Sequence, residues 1–271
     1  MPAGGDRDKA GEPRDAADDD SQAMRLTHAR DLIANPDGFA CGRLSVARGS
    51  PRCPARSLSC IVSPVPVHLV DHPLVQDTLL ILRNRDTGSA VFRRMATRIS
   101  VLLAAEALRD LPTERAVVAS PMGTAEGRRI GADVVVVPVL RAGLGMLDAV
   151  LELIPSARVG HIGLQRDELT AVASQYYAKL PPGLERSYVL MIDPMLATGG
   201  SAVAAVDLLT RAGARDIRIL CIVAAPEGIA VVEKRCPGVR IFTPVIDQGL
   251  NDRKFIVPGL GDFGDRLYGT V

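Results

Sequence analysis

Apolar residues recur along this chain in two distinct rhythms. From Pro73 to Arg83, Leu74, Leu79, Leu80 and Leu82 fit a short helix behind a proline start. Phe92, Met95, Ile99, Leu102, Leu103 and Ala107 recur at helical spacing and predict a long amphipathic helix over 89–108. Further helices fit 147–153, 202–211 and 229–234. Between them lie short apolar runs at 116–119, 134–137, 159–164, 188–192, 217–223 and 239–245. Short apolar strands alternating with helices imply an α/β fold, with a parallel sheet covered on both faces. No internal repeat interrupts the pattern.

Order is expected to begin near Val67. Residues 1–66 form a separate extension, and 67–271 form the folded domain. The first twenty residues hold almost no large apolar side chain and end in Asp18-Asp19-Asp20. Such a segment cannot bury enough surface to offset its ordering entropy, so it is read as disordered. No acidic residue occurs from Gly38 to Val70, while Arg43, Arg48, Arg52 and Arg56 recur among Ser, Pro and Ala. An Arg- and Ser-rich transit peptide should open the chain, and this chain opens acidic; a start at Met24 would revive that reading.

Composition narrows the function classes. The 271 residues are 47% hydrophobic and 23% charged, ordinary for a chain with a sizeable core. Lys plus Arg is 32 against 31 for Asp plus Glu, a formal net charge of +1, which gives no electrostatic reason to expect nucleic acid. Aromatics are 3% with no Trp, which argues against base-stacking platforms. No apolar run reaches membrane-spanning length, so no membrane partner is expected. Cys41, Cys53, Cys60, Cys221 and Cys236 form no CxxC pair and no Cys/His ligand spacing. With no secretory signal, a reducing cytoplasm is the expected compartment. His28, His68, His72 and His161 have no triad partner in the pattern and are read as structural or surface residues.

The chemistry concentrates after the 188–192 strand. Asp193 stands at its carboxyl end, where ligands bind in open parallel sheets. Pro194, Met195, Leu196, Ala197, Thr198, Gly199, Gly200 and Ser201 then lead into a helix. Glycines let the backbone approach a ligand, and a helix N-terminus offers N–H groups with partial positive charge. This reads as a phosphate cradle beside a carboxylate, and the carboxylate suits a sugar diol or a cation. By spacing alone, the same residues equally suit a plain strand-to-helix turn with a solvated Asp193. The segment is neither GxxxxGK[ST] nor GxGxxG. Arg141 follows the 134–137 strand and offers a planar fork of donors to an oxyanion. The Gly-rich segment 256–266 reads as a loop with an apolar wall and free backbone groups, suited to the edge of a flat base.

DPMLATGGS resembles the phosphoribosyl-diphosphate (PRPP) loop of uracil phosphoribosyltransferases. That family lacks the second acidic residue common in other phosphoribosyltransferases, and Pro194 stands in its place here. VDHPLVQ, VPVLRAGLGM, LELIPSARVGHIGL, VAAPEGI and IVPGLGDFGDRLYGT resemble further family segments in the family's order. The resemblance covers roughly residues 67–271, about three quarters of the chain.

The resemblance implies a Rossmann-like phosphoribosyltransferase core, a smaller hood formed by flanking segments, and UMP and diphosphate made from uracil and PRPP. It implies that Arg141 and Arg166 contact the diphosphate and that a mobile loop up to Gln175 carries Arg166 over it. Asp193 and 194–201 would hold the rest of PRPP. Ile256, Gly261, Asp262 and Phe263 would bind uracil, with Asp262 also reaching PRPP or its magnesium. No residue is assigned as a metal ligand outright. Gln165 stands where Tyr is common, and Phe263 where many bacterial members carry Ala. A homo-oligomer, dimer or tetramer, and GTP activation are implied too. Three rivals are a different base, a uracil-regulated RNA binder, which the neutral charge opposes, and an inactive nucleotide binder, which the intact Asp193, Arg141 and Arg166 oppose.

Overall fold

The computed structural model describes residues 67–166 and 173–270, with the side chains of Arg166 and Ala173 outside that description. The predicted extension 1–66, with Cys41, Cys53, Cys60 and His28, lies outside the described residues. In chain order, β1 (Val67–Leu69) leads to α1 (Pro73–Arg83) and α2 (Ser89–Ala107). The strands β2 (Thr113–Ser120), β3 (Gly123–Ile130) and β4 (Asp133–Leu140) follow, then α3 (Leu144–Leu153). Next come β5 (Arg158–Val159), β6 (His161–Arg166), β7 (Ala173–Lys179) and β8 (Ser187–Ile192). After β9 (Met195–Leu196), α4 (Gly200–Arg211), β10 (Asp216–Leu220) and β11 (Val223–Ala224) lies α5 (Pro226–Arg235). The chain closes with β12 (Arg240–Thr243), β13 (Gly249–Leu250), β14 (Ile256–Val257) and α6 (Phe263–Tyr268).

The main sheet runs β1-β12-β10-β8-β4-β6-β7, with β5 paired to β4. All its pairs are parallel except β6–β7. Alternate residues of β4 feed two cores. Val134 and Val136 pack with α1, α2, α3 and α6, while Val135, Val137 and Val139 pack with α4 and α5. A strand buried on both faces needs apolar residues at every position, which is why the VVVVPV run shows no alternation. Pro138 falls between the β5 and β6 pairings, where the ladder is already interrupted beside Gly160.

The order of strands positions the crevice. From β4 the chain leaves through α3 toward β6; from β8 it leaves through α4 toward β10 on the other side. Adjacent parallel strands whose connections diverge in this way open a gap beyond their carboxyl ends. Arg141 follows β4 and Asp193 follows β8. The expected hood takes the form of α1, the antiparallel β13–β14 ribbon and α6. Arg218, fully buried near the opposite end of the sheet, donates to Asp216, Asp110 and the Ala107 carbonyl and stacks on Tyr188.

Three expectations need correction. The 116–119 run belongs not to the sheet but to an antiparallel β2–β3 hairpin. The hairpin is almost wholly exposed and has no buried face to impose periodicity. The loop expected up to Gln175 ends earlier, because β7 begins at Ala173 as an antiparallel edge strand with an irregular register at Gly163/Leu164. The segment 256–266 is not free of regular structure. Asp262 caps α6 by accepting the Asp265 N–H (2.9 Å), and Gly269 closes it at φ +70°.

Candidate functional site

The first loop joins β4 to α3 through Arg141, Ala142 and Gly143. Gly143 is required by close approach: a Cβ there would lie 2.4 Å from the Ile192 carbonyl and 2.7 Å from the Val139 nitrogen. Its N–H donates to the Val139 carbonyl (2.9 Å), and the Tyr268 hydroxyl donates to the Arg141 carbonyl (3.4 Å). The Leu140–Arg141 peptide is cis. The Arg141 side chain is left exposed at the crevice mouth.

The second loop carries Asp193 to Ser201 and is braced from behind. The Asp193 N–H donates to Leu220 (3.1 Å), the Pro194 carbonyl accepts from Ile222 (2.9 Å) and Val223 (3.1 Å), and the Leu196 carbonyl accepts from Ala225 (2.9 Å). Met195 and Leu196 pair in parallel with β11. Gly199 turns the chain into α4 at φ +78°. The first α4 N–H to reach back within the helix is Val203, onto Gly199 (2.9 Å). The N–H groups of Gly200, Ser201 and Ala202 therefore have no intrahelical acceptor and form a positive helix start. This arrangement suits a phosphate.

The third wall comes from the hood. Ile256 and Phe263 are buried, and Phe263 packs edge-on against Phe92 with ring centroids 5.1 Å apart. Asp262 is exposed, with one carboxylate oxygen engaged in capping α6.

These walls enclose a cavity of about 290 Å³. Asp193, Met195, Leu196, Ala197, Gly199 and Ser201 line one side. Ile256, Gly261, Asp262 and Phe263 line the other, with Ala142 beside them. Pro194, Thr198 and Gly200 belong to the same loop without lining the cavity, and Arg141 adjoins its Ala142 edge. Arg166 ends β6, and its side chain lies outside the description, as do Asp167 and Glu168.

Arg253, Lys254 and Phe255 also line the cavity and were not singled out by the sequence. They form the tip between β13 and β14. The Asn251 side-chain oxygen accepts the N–H groups of Arg253 and Phe255 (both 3.0 Å), and Lys254 sits at φ +64°. Asn251 is a recognisable turn former, so the turn was legible; its position across the cavity was not.

The cavity lining carries two carboxylates, Asp193 and Asp262, and two cations, Arg253 and Lys254, with Arg141 adjoining its Ala142 edge. Burial, reinforced by the negative charge of Asp193, pushes the Cys221 thiol up to about 12. It stays protonated near neutrality and is no nucleophile. His72 caps α1 by accepting the Leu74 N–H (3.1 Å), and His68 stacks on Phe242. Among the described residues no group of three His, Cys, Asp or Glu could hold a metal alone. The hard oxygens of Asp193 and Asp262 nevertheless fit a magnesium ion that takes its remaining ligands from substrate phosphates and water.

A family model described as uracil phosphoribosyltransferase matches residues 69–270. The curated uracil phosphoribosyltransferase of Symbiobacterium thermophilum is 50% identical over 205 residues, covering 75% of this chain and 98% of that protein. That of Shouchella clausii is 48% identical over the same shares. Among solved structures, the AQ2163 protein from Aquifex aeolicus is similar with a TM-score of 0.72 and 35% identity, covering 74% of this chain and 97% of that one.

Proposed function

Since the chain belongs to the uracil phosphoribosyltransferase family, we propose a division of labour among its loops for the reaction that family performs. The protein is a pentosyltransferase: uracil and PRPP give UMP and diphosphate. The observation that carries the residue roles is the convergence of the Asp193 loop and the 256–263 segment on one cavity at the point where the sheet's connections diverge.

Carbon 1 of the ribose gains oxocarbenium character as diphosphate leaves. Arg141 and Arg166 stabilise charge on the leaving group. The open N–H groups of Gly200, Ser201 and Ala202 and the hydroxyls of Thr198 and Ser201 hold the 5-phosphate, in a loop whose backbone is fixed by Pro194 and Leu196. Asp193 holds the ribose hydroxyls and favours positive charge beside them. Ile256, Gly261, Asp262 and Phe263 receive uracil, mainly through backbone groups. Fixing both substrates in line supplies much of the rate. Magnesium, held by Asp262 or Asp193 together with substrate oxygens, would supply further charge neutralisation. Lacking a second carboxylate beside Asp193, Pro194 leaves the cradle less repulsive to phosphate.

We extend the reading to a homo-oligomer. The β2–β3 hairpin exposes Val117, Val118, Met122 and Ile130, and a lone two-stranded hairpin is marginally stable in water. GTP activation rests on the resemblance alone. A reducing cytoplasm rests on the cysteine pattern of the sequence; among the described residues Cys221 and Cys236 are free, and no helix is long and apolar enough to cross a membrane.

The test is UMP formation from uracil, PRPP and magnesium, run against other bases and with or without GTP. Turnover confined to uracil supports the reading; turnover with another base, or none, refutes it. Arg141→Ala should weaken PRPP binding in a calorimetric titration, and wild-type affinity would remove that residue from the site.

A further inference from the structure

We propose that Asp247 and Arg83 are positioning residues that set uracil affinity by clamping the backbone of Gly259. This rests on the reading of 256–263 as the base-facing segment. Asp247 is buried, and both its carboxylate oxygens accept from the Arg83 guanidinium, at 2.6 Å and 3.1 Å. One of those oxygens also accepts the Gly259 N–H (2.9 Å), while Arg83 donates to the Gly259 carbonyl (3.1 Å). A single ion pair thus holds both polar groups of one peptide residue.

That residue sits at the tightest point of the wall. Gly259 has φ +58°, and a Cβ there would lie 2.1 Å from the Ile256 carbonyl. The turn it closes runs from Ile256 to Gly261, and both line the cavity. The clamp is anchored to the β9–β11 pair, because the Asp247 N–H donates to Ala224 in β11 (2.8 Å), and to the hood, because Arg83 ends α1. Arg266 fastens the same junction by donating to the carbonyls of Leu82 (2.5 Å), Leu260 (2.9 Å) and Asn84 (2.6 Å).

The geometry makes the effect selective. The Asp193 loop is braced by Leu220, Ile222, Val223 and Ala225, and Asp247 meets that brace only through its backbone N–H on Ala224, which a side-chain substitution leaves in place. Loosening the clamp lets the base wall drift while the phosphate cradle stays in place. A purely structural pair would instead lower folding stability and affect both substrates alike.

The experiment compares Asp247→Asn and Arg83→Lys with the wild type, measuring KM for each substrate at saturation of the other, together with thermal unfolding. Losing a charge-assisted hydrogen bond to a buried N–H should raise the uracil KM about tenfold or more in Asp247→Asn. The PRPP KM should stay within about twofold. Arg83→Lys keeps the charge but loses the fork, so it should give a smaller rise for the same substrate. If Asp247→Asn does not fold, Arg83→Lys decides. An unchanged uracil KM in folded variants, or equal rises for both substrates, overturns the inference alone. A wild-type protein that converts no uracil overturns the base-wall reading and this inference with it.

Discussion

Replacing Gly143 by alanine adds one methyl group at the seam between the Arg141 loop and the Asp193 loop. The backbone there has φ −60° and ψ −22°, which alanine adopts without strain, so the cost is purely steric. The new carbon would meet the Ile192 carbonyl at 2.4 Å and the Val139 nitrogen and carbonyl at 2.7 and 2.8 Å. All three are backbone atoms of adjacent central strands, with Pro138 paired to Ile192. No side chain can swing away, and the seam must open by roughly 1 Å in an interior packed near crystal density. Overpacking of this kind costs about 3 kcal/mol at its upper range. Restricting the unfolded chain returns about 0.5–1 kcal/mol, leaving a net loss of about 2 kcal/mol. For a domain of this size that is a fall in Tm of about 4–8 °C. The functional loss should be larger, because a 1 Å shift between Arg141 and Asp193 costs about 100-fold in turnover. The assay pairs thermal unfolding with steady-state kinetics. Gly200→Ala is the control: its nearest neighbour is the Thr198 hydroxyl at an ordinary 3.7 Å, so its stability should hold or rise slightly. A Gly143→Ala protein with wild-type Tm and turnover would refute the argument that this glycine sets the distance between the loops.

Three further outcomes follow from the geometry. On the role proposed for Asp193, Asp193→Asn should lower kcat about 100-fold while uracil binding changes little; wild-type kcat would remove that role. Lys254→Gly should raise the urea midpoint by the equivalent of about 0.5–1 kcal/mol, because Lys254 is the one non-glycine at positive φ among the described residues; a lower midpoint would show that its side chain makes a compensating contact. Burial pushes the Asp216 carboxyl up, but hydrogen bonds and charges from Arg218 and Arg240 outweigh it and hold the group below its ordinary 3.8. A depressed folded value means stability present above the ordinary value and lost as pH falls through the folded one. Asp216→Asn should therefore shrink the drop in urea midpoint between neutral pH and about pH 3, and an unchanged drop would count against this cluster as an acid-sensitive tie.

Elements with a buried face were legible in the sequence. α1 matches its predicted bounds, and α2 ends one residue early. Their apolar spacing is set by a one-sided core, and that constraint is local. β4 and β8 were legible because burial on both faces demands an unbroken apolar run. The β2–β3 hairpin and β7 were not, since exposed strands carry no such demand. α6 was hidden by its glycines, although Asp262 and Gly269 marked its ends.

By itself, the sequence determined the α/β class, the turn from Asp193 into a helix and the turn at Arg141 after a strand. Each is a short run whose residue types state their own conformation: glycine at a helix start, a carboxylate at a strand end. Only the tertiary structure decided which distant residues share the cavity. Arg253, Lys254 and Phe255 reach it because β13–β14 folds back over the sheet, and Asp247 meets Arg83 across 164 residues of chain. Such partnerships depend on strand order and packing angle, which arise from the whole chain burying its apolar surface together, and no local pattern records them.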